Sequence, residues 1–330
     1  MTSATVDARS LAGLADNAWL RFAVRRLARL LVSVWVLVTA AFLMIHLIPG
    51  DPVRASLGTT APLELVNERR AALGLNDPFW LQYLHYLRNL LTGELGTSMT
   101  SGLPVSQVLG DRLPATAELA VSASALALAI AVPLGLLMAV LTRGGRRRHV
   151  ELGFTSGSVV LAAVPEFLLA VGLVYVFGVT LGWVPVAGRA GPGSYVLPVL
   201  ALAVSPAAVL ARIVRVETLT VLQADYVRTA RAKRLPAHLV YLRHALPNAM
   251  TATLTLGGLL LGGMVAGTVL VENVFAWPGL GSTIVASILG KDLPVIQGVV
   301  LVYGLGVLLV NLAVDIALAL LDPRSTIRED

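Results

Sequence analysis

Six stretches of this chain are too long and too apolar to lie anywhere but across a bilayer. Leu30–Ile48, Ala115–Leu141, Leu152–Leu181, Val196–Val214, Met250–Val271 and Val295–Leu321 run for 19 to 30 residues each, and a helix of roughly 20 apolar residues crosses the hydrocarbon core. With 56% hydrophobic residues, 13% charged residues and a mean hydropathy of +0.80, the chain could not present a water-facing globular surface without very large apolar patches. These numbers predict an all-α integral membrane protein with six transmembrane helices. The first run follows Arg21, Arg25, Arg26 and Arg29, as a secretory signal would. It is long enough to span, however, and Ile48-Pro-Gly-Asp-Pro is no small-residue cleavage site, so it reads as an uncleaved span over residues 25–49 after a polar tail, 1–24.

Between the first two spans, residues 50–113 form the longest water-compatible stretch. Pro62, Gly74, Asp77-Pro78 and Gly93 punctuate it as a small helical subdomain, in which Phe79, Tyr83, Leu87 and Leu90 make one stripe suited to packing on the membrane domain. Residues 114–320 then hold the remaining spans and 321–330 a short tail. Of the 25 lysines and arginines, 18 fall in the termini and in the loops after spans two and four, and 7 in the other loops. Positive-inside bias therefore puts both termini in the cytoplasm and the 50–113 insertion outside. The same distribution, in short runs without interleaved aromatics, argues against nucleic acid as the partner of a chain of net charge +6.

The loop from 217 to 247 is a concentrated polar and basic run amid membrane sequence. Leu219, Leu222, Tyr226 and Ala230 share one helical stripe, while Asp225, Arg228, Arg231, Lys233 and Arg234 crowd the other side. Pro236 is placed to open a second short helix with Leu239, Leu242 and Leu246 as its stripe, and Pro247 marks a break before the fifth span. Such helices either lie on anionic headgroups or dock on a partner. At the other end, the proline and glycines of Glu272–Gly281 stop the fifth span, and the apolar piece to Leu289 is too short to cross. A re-entrant segment over 272–294 is expected, tolerable only where protein or a water-filled path surrounds it.

The spacing in the basic loop resembles the EAA loop of ABC importer permeases: E-A-A, three residues, G, nine residues, I-x-L-P. Arg228, Thr229 and Ala230 stand at E-A-A, Arg234 at the glycine, His244 at the isoleucine, and Leu246 and Pro247 at the ending. DYVRTARAKRL (Asp225–Leu235) and RHALPNA (Arg243–Ala249) are similar to the dipeptide and oligopeptide branch of that family, with Arg234 as the one change. HLIPGDP (His46–Pro52), LGLNDPFWLQY (Leu73–Tyr83), GELGTS (Gly93–Ser98), RLPATAEL (Arg112–Leu119), ENVFAWPGLG (Glu272–Gly281), KDLPVIQG (Lys291–Gly298) and DPR (Asp322–Arg324) resemble family phrases in the same order. The chain is thus identified as similar to the B-type membrane subunit of an importer for dipeptides or oligopeptides, of type I ABC importer fold. Nickel, glutathione and other small-solute importers share these motifs and form the alternative.

The resemblance implies a second homologous permease subunit, two ATP-binding subunits, an extracytoplasmic solute-binding protein that touches the 50–113 insertion, and surrounding membrane lipid in a cell membrane. It also implies that Asp225, Tyr226, Val227, Arg228, Thr229, Ala230, Arg231, Ala232, Lys233, Arg234 and Leu235 couple the chain to the ATPases. No G-x-x-x-x-G-K-[ST] loop occurs, so ATP and magnesium belong to partner chains and this chain needs no cofactor and catalyses nothing. No nucleophile-and-base constellation supports a membrane-embedded enzyme, the five histidines have no metal-ligand spacing, and the absence of cysteine removes disulfides and thiolate sites. A secondary transporter would need internal repeats and ionisable relays in several spans, and only Glu166 lies deep in one.

Ionisable groups in spans are costly and therefore mark candidate paths. Glu166, after Pro165, faces either the translocation path or a polar group on a neighbouring helix. Glu272 and Asn273, at the mouth of the re-entrant segment, either contact a peptide amine or cap the broken helix, and Phe275 joins them as a path candidate. Glu118 and His46 are expected at the interface, and Asp315 snorkelling or paired with a loop arginine. Gly257–Gly263, GGLLLGG, suits close approach to the partner permease. Arg234 either takes the left-handed conformation of the glycine it replaces or stays right-handed and turns its guanidinium outward.

Overall fold

The computed structural model describes residues 18–47, 53–54, 61–72 and 74–321. The polar tail before residue 18, most of HLIPGDP and all of DPR lie outside the described residues. The first span is α1 (Ala18–Leu47). In the insertion, α2 (Leu63–Ala72) and α3 (Phe79–Thr92) begin after Pro62 and Pro78, the prolines expected to open them. Gly93 closes α3 in the left-handed region, with its own N–H on the Leu90 carbonyl and that of Glu94 on Asn89. Then follow α4 (Val105–Thr142), α5 (Arg148–Ala163), α6 (Glu166–Leu173, prolonged by π-helical turns over Val174–Thr180) and α7 (Val196–Val221). The chain ends with α8 (Asp225–Ala232), α9 (Leu246–Val274), α10 (Leu280–Leu289) and α11 (Leu293–Leu321).

Among the described residues five helices are long and apolar enough to cross a membrane, six with the α5–α6 pair, bent by 94°, counted as one broken span. The bend has a local cause. Val164 precedes a proline and is pushed into extended geometry (φ −74°, ψ 121°), and Pro165 itself is extended (φ −59°, ψ 137°). The second span's helix begins at Val105, earlier than the boundary at 114 read from hydropathy, because Pro114 is absorbed inside the helix while Val105 and Leu109 bury themselves against Leu280, Val295 and Val299.

Small residues hold the core. Ala115, Leu119, Ala123, Ala127, Ala131, Gly135 and Ala139 recur every fourth position on α4 and are all buried. They face Ala201, Ala207 and Ala211 of α7. A Cβ on Gly135 would lie 2.5 Å from the Ala211 carbonyl oxygen, so the two backbones meet where helix packing rests on van der Waals contact rather than on solvent exclusion. The GGLLLGG run proves to be mostly internal packing: a Cβ on Gly257 would strike Leu210 of α7 at 2.9 Å and one on Gly258 would strike Val314 of α11 at 2.5 Å. Of the four only Gly263 has open space beside it, and Leu259 in the same run is 73% exposed, so one side of the run packs among α7, α9 and α11 and the other stays open. On the insertion, Phe79 and Tyr83 stack on Phe42 of α1 at 5.3 and 5.1 Å, and the Tyr83 hydroxyl bonds Thr39 at 2.8 Å. The α3 stripe packs on the membrane domain as its spacing predicts.

Candidate functional site: coupling helix and re-entrant segment

Helix α8 forms because Asp225 opens it in the favourable first turn and because its apolar positions have a seat. Val227 and Ala230 are buried with Leu222, Val240 and Ala245, flanked by Val221, Leu235 and Tyr241. These two residues therefore fix the helix to its own chain. The outward face carries Asp225, Tyr226, Arg228, Thr229, Ala232, Lys233 and Arg234. Asp225 and Arg228 pair at 3.4 Å with side chains 96% and 76% exposed, an arrangement that contributes little to stability. Burial raises the Tyr226 hydroxyl above its ordinary value. It also lowers the Arg231 guanidinium, and repulsion from Arg143 lowers it further. The Nη2 of Arg231 is shielded from solvent and has no hydrogen-bond partner among the described residues.

The two readings of Arg234 are now distinguished. Its φ is +55°, its N–H reaches the Arg231 carbonyl at 2.9 Å and the next N–H, of Leu235, reaches Ala230 at 3.3 Å. Arginine thus makes the turn that a glycine makes, in a conformation costing an L-residue roughly 1 kcal/mol. Pro236 opens only the short helix Ala237–Leu239, and Pro247 does not break the chain. A π-helical turn over Val240–Ala245 leads straight into α9, and Pro247 sits in that helix's first turn, where no donor is needed.

In α7, Arg215 is only 7% exposed. Its Nη2 donates to Glu151 of α5 at 2.6 Å and its Nε to Thr142 of α4 at 3.0 Å, joining three helices. Sequence reading missed this cluster and counted Arg215 only as one more inward charge.

At the opposite end, α9 stops at Val274 and the chain folds back. Glu272, fully buried, accepts hydrogen bonds from the Gly281 N–H at 2.7 Å, the Ser282 N–H at 3.2 Å and the Thr116 hydroxyl at 2.7 Å. Its carboxylate caps α10. Gly279 is required because a Cβ there would strike that carboxylate and the Thr116 hydroxyl. Asn273 gives its amide to the Val269 and Gly281 carbonyls. Phe275 and Trp277 are 1% and 0% exposed, and the indole N–H of Trp277 donates to the Ala115 carbonyl at 3.0 Å. In this arrangement Glu272, Asn273 and Phe275 hold the segment after α9, and Glu272 and Phe275 are buried within it.

Asp292, 2% exposed, accepts from the Ser98 hydroxyl and from the N–H groups of Met99 at 3.0 Å and Thr100 at 3.2 Å. Two motifs quoted separately above, GELGTS and KDLPVIQG, are thereby one joint between the insertion and α11. Over the re-entrant segment lies the loop before α7: Gly188 N–H donates to the Phe275 carbonyl at 2.8 Å, and Arg189 grips Glu118 of α4 at 2.6 and 2.8 Å, with Tyr195 as a third member. Glu118 is exposed but paired. Glu166, at the start of α6, is half-buried against Gly267 of α9 and has no hydrogen-bond partner among the described residues. Asp315 pairs with Arg26 of α1 rather than with a loop arginine, and His46 bonds Gln82 of α3 at 3.2 Å. Among the described residues, no group of three or more potential ligands could hold a metal.

Residues 131–327 match the family described as binding-protein-dependent transport system inner membrane component, and residues 19–120 match its N-terminal companion. The chain belongs to this family of binding-protein-dependent transport permeases. It is 40% identical over 304 residues to the glutathione transport system permease protein GsiC of Pectobacterium atrosepticum, 38% over 305 residues to that of Salmonella typhimurium and 36% over 304 residues to that of Escherichia coli K12. Each match covers 92% of this chain and 98% of the relative. The permease is therefore an ABC importer membrane component of type I fold. The 217–247 loop and the 272–294 segment both lie inside the matched 131–327 region.

Proposed function

We propose that this permease imports glutathione, or a closely related short peptide-like solute, delivered by an extracytoplasmic binding protein, with a second permease and two ATP-binding subunits completing the transporter. The observation that carries the reading is the 36–40% identity, along nearly the whole chain, to relatives named as glutathione transport permeases. Dipeptides or oligopeptides are the second reading, favoured by the loop sequence Asp225–Leu235. The two overlap chemically, since glutathione is itself a tripeptide. Both termini and the coupling helix face the cytoplasm in this reading, supported by the basic loops.

ATP binding in the partner subunits moves the coupling helices, Val227–Leu235, and the spans rock so that the path opens toward the loaded binding protein. Hydrolysis resets it. Glu166 is the proposed contact for a solute ammonium, because it is a half-buried carboxylate at span depth with no bonded partner among the described residues. The test is ATP-dependent uptake by liposomes holding the complete transporter and its binding protein, with labelled glutathione and labelled dipeptides in competition. Glutathione uptake that excess dipeptide does not suppress supports the first reading; dipeptide uptake without glutathione uptake overturns it.

A further inference from the structure

A cavity lies where the insertion meets the membrane bundle, apart from helix α8. It measures about 220 Å³ and is walled by α1, α3, the 93–99 loop and the first turns of α11. Phe42, Leu90 and Leu301 give it a mainly apolar lining. A cavity of ~150 Å³ holds a benzene ring, so this one has room for a short run of carbons and not for a whole lipid.

Its depth is informative. The apolar window of the first span ends at Met44 and that of the last begins at Leu293; the walls Phe42 and His46 lie to either side of the first limit, and Leu293 to Leu301 run inward from the second. The cavity sits where hydrocarbon gives way to headgroups, the level of phospholipid ester carbonyls. Helix α3 suits the same level. Phe79, Tyr83, Tyr86 and Leu90 form its inward stripe, while Trp80, Leu84 and Leu91, 63%, 52% and 89% exposed, form a second apolar stripe facing away, as in a helix lying in a membrane interface.

Two polar groups discriminate further. The Tyr86 hydroxyl is shielded from solvent and has no hydrogen-bond partner within bonding geometry among the described residues, although Gln297, whose amide N–H reaches the Ala41 carbonyl at 3.2 Å, lies close to it. Burial pushes this hydroxyl up to about 12, so it stays protonated and able to donate. Glu94, exposed at the rim, repels an anionic headgroup and attracts an ammonium.

We infer that this cavity holds one acyl chain of a zwitterionic, amine-bearing phospholipid from the leaflet facing the insertion, with the ester carbonyl accepting the Tyr86 hydroxyl and the ammonium beside Glu94. The lipid fills the seam between α3 and α11. The inference stands whatever solute the transporter carries.

The experiment uses the complete transporter in nanodiscs of phosphatidylethanolamine or of phosphatidylglycerol, each doped with a photoreactive acyl-chain analogue of the same lipid, and maps the adducts by peptide mass. Adducts on residues 82–90 and 293–301 are expected with phosphatidylethanolamine. Tyr86→Phe should reduce them about five-fold, the effect of one hydrogen bond, and Leu90→Trp, which fills the space, should abolish them. Adducts on the exposed stripe at Val32 and Val36 serve as the reference and should not change. Where Leu90→Trp fails to assemble, Tyr86→Phe decides, since it keeps the ring. Adducts at these segments that neither substitution lowers, or no adducts there while the reference labels, would overturn the inference. Displacement by excess glutathione would reassign the cavity to the solute, and equal yields with phosphatidylglycerol would remove the role of Glu94.

Discussion

Helices α8 and α10 are both short pieces set between spans, of 8 and 10 residues, yet they are held by opposite means. Helix α8 keeps its charges on the outside and is seated by Val227 and Ala230. Helix α10 hangs on charge that is buried: Glu272 at its start, with Asp292 just beyond its end. The contrast fits the tasks. An exposed charged face can exchange water for a partner at small cost, whereas a buried carboxylate that accepts three hydrogen bonds resists being moved.

The contrast breaks first at Glu272. Glu272→Ala leaves the Gly281 and Ser282 N–H groups and the Thr116 hydroxyl unpaired and should destabilise the permease by about 3 kcal/mol, read as a lowered unfolding temperature in detergent; an unchanged temperature would mean that α10 does not depend on its cap. Next is the cluster around Arg215. Glu151→Ala strands the buried Arg215, and with Glu151 about a third exposed we expect a loss of roughly 2 kcal/mol, partly restored when Arg215→Met is added, since the orphaned charge goes with it.

On the outward face of α8 the expected effect is functional instead. Lys233→Glu should uncouple ATP hydrolysis from import while the unfolding temperature moves little; normal coupled transport would show that this residue faces lipid. Arg234→Gly relieves the left-handed arginine and should stabilise by about 1 kcal/mol, provided the guanidinium makes no contact with the partner. The smallest effect is at Asp225. Asp225→Asn should change stability by less than about 0.5 kcal/mol, because its pair with Arg228 is solvent-exposed; a larger loss would point to a role in opening α8.

Much of the architecture was legible beforehand. Apolar run length placed the spans, and Pro62, Gly74, Pro78 and Gly93 placed α2 and α3, because these signals act within one helical turn. Pro247 misled for the same reason: a proline reads as a boundary, while a π turn ahead of it lets the helix accommodate it. The joints between elements were not legible. Thr142 and Arg215 are 73 residues apart, Thr116 and Glu272 are 156 apart, and Ser98 and Asp292 are 194 apart.

The sequence by itself determined a multi-pass helical membrane protein, the helical 50–113 insertion, the basic 217–247 loop and the break after the fifth span, since hydropathy and proline or glycine geometry are properties of neighbouring residues. Only the tertiary structure decided which charges are sealed and which are presented. Glu272 and Arg231 look alike in a string, each a charge beside an apolar run. One is enclosed by donors from α4 and α10 and the other crowded by Arg143, because burial and the sign of the surrounding field are set by what packs across from a residue, not by what precedes it.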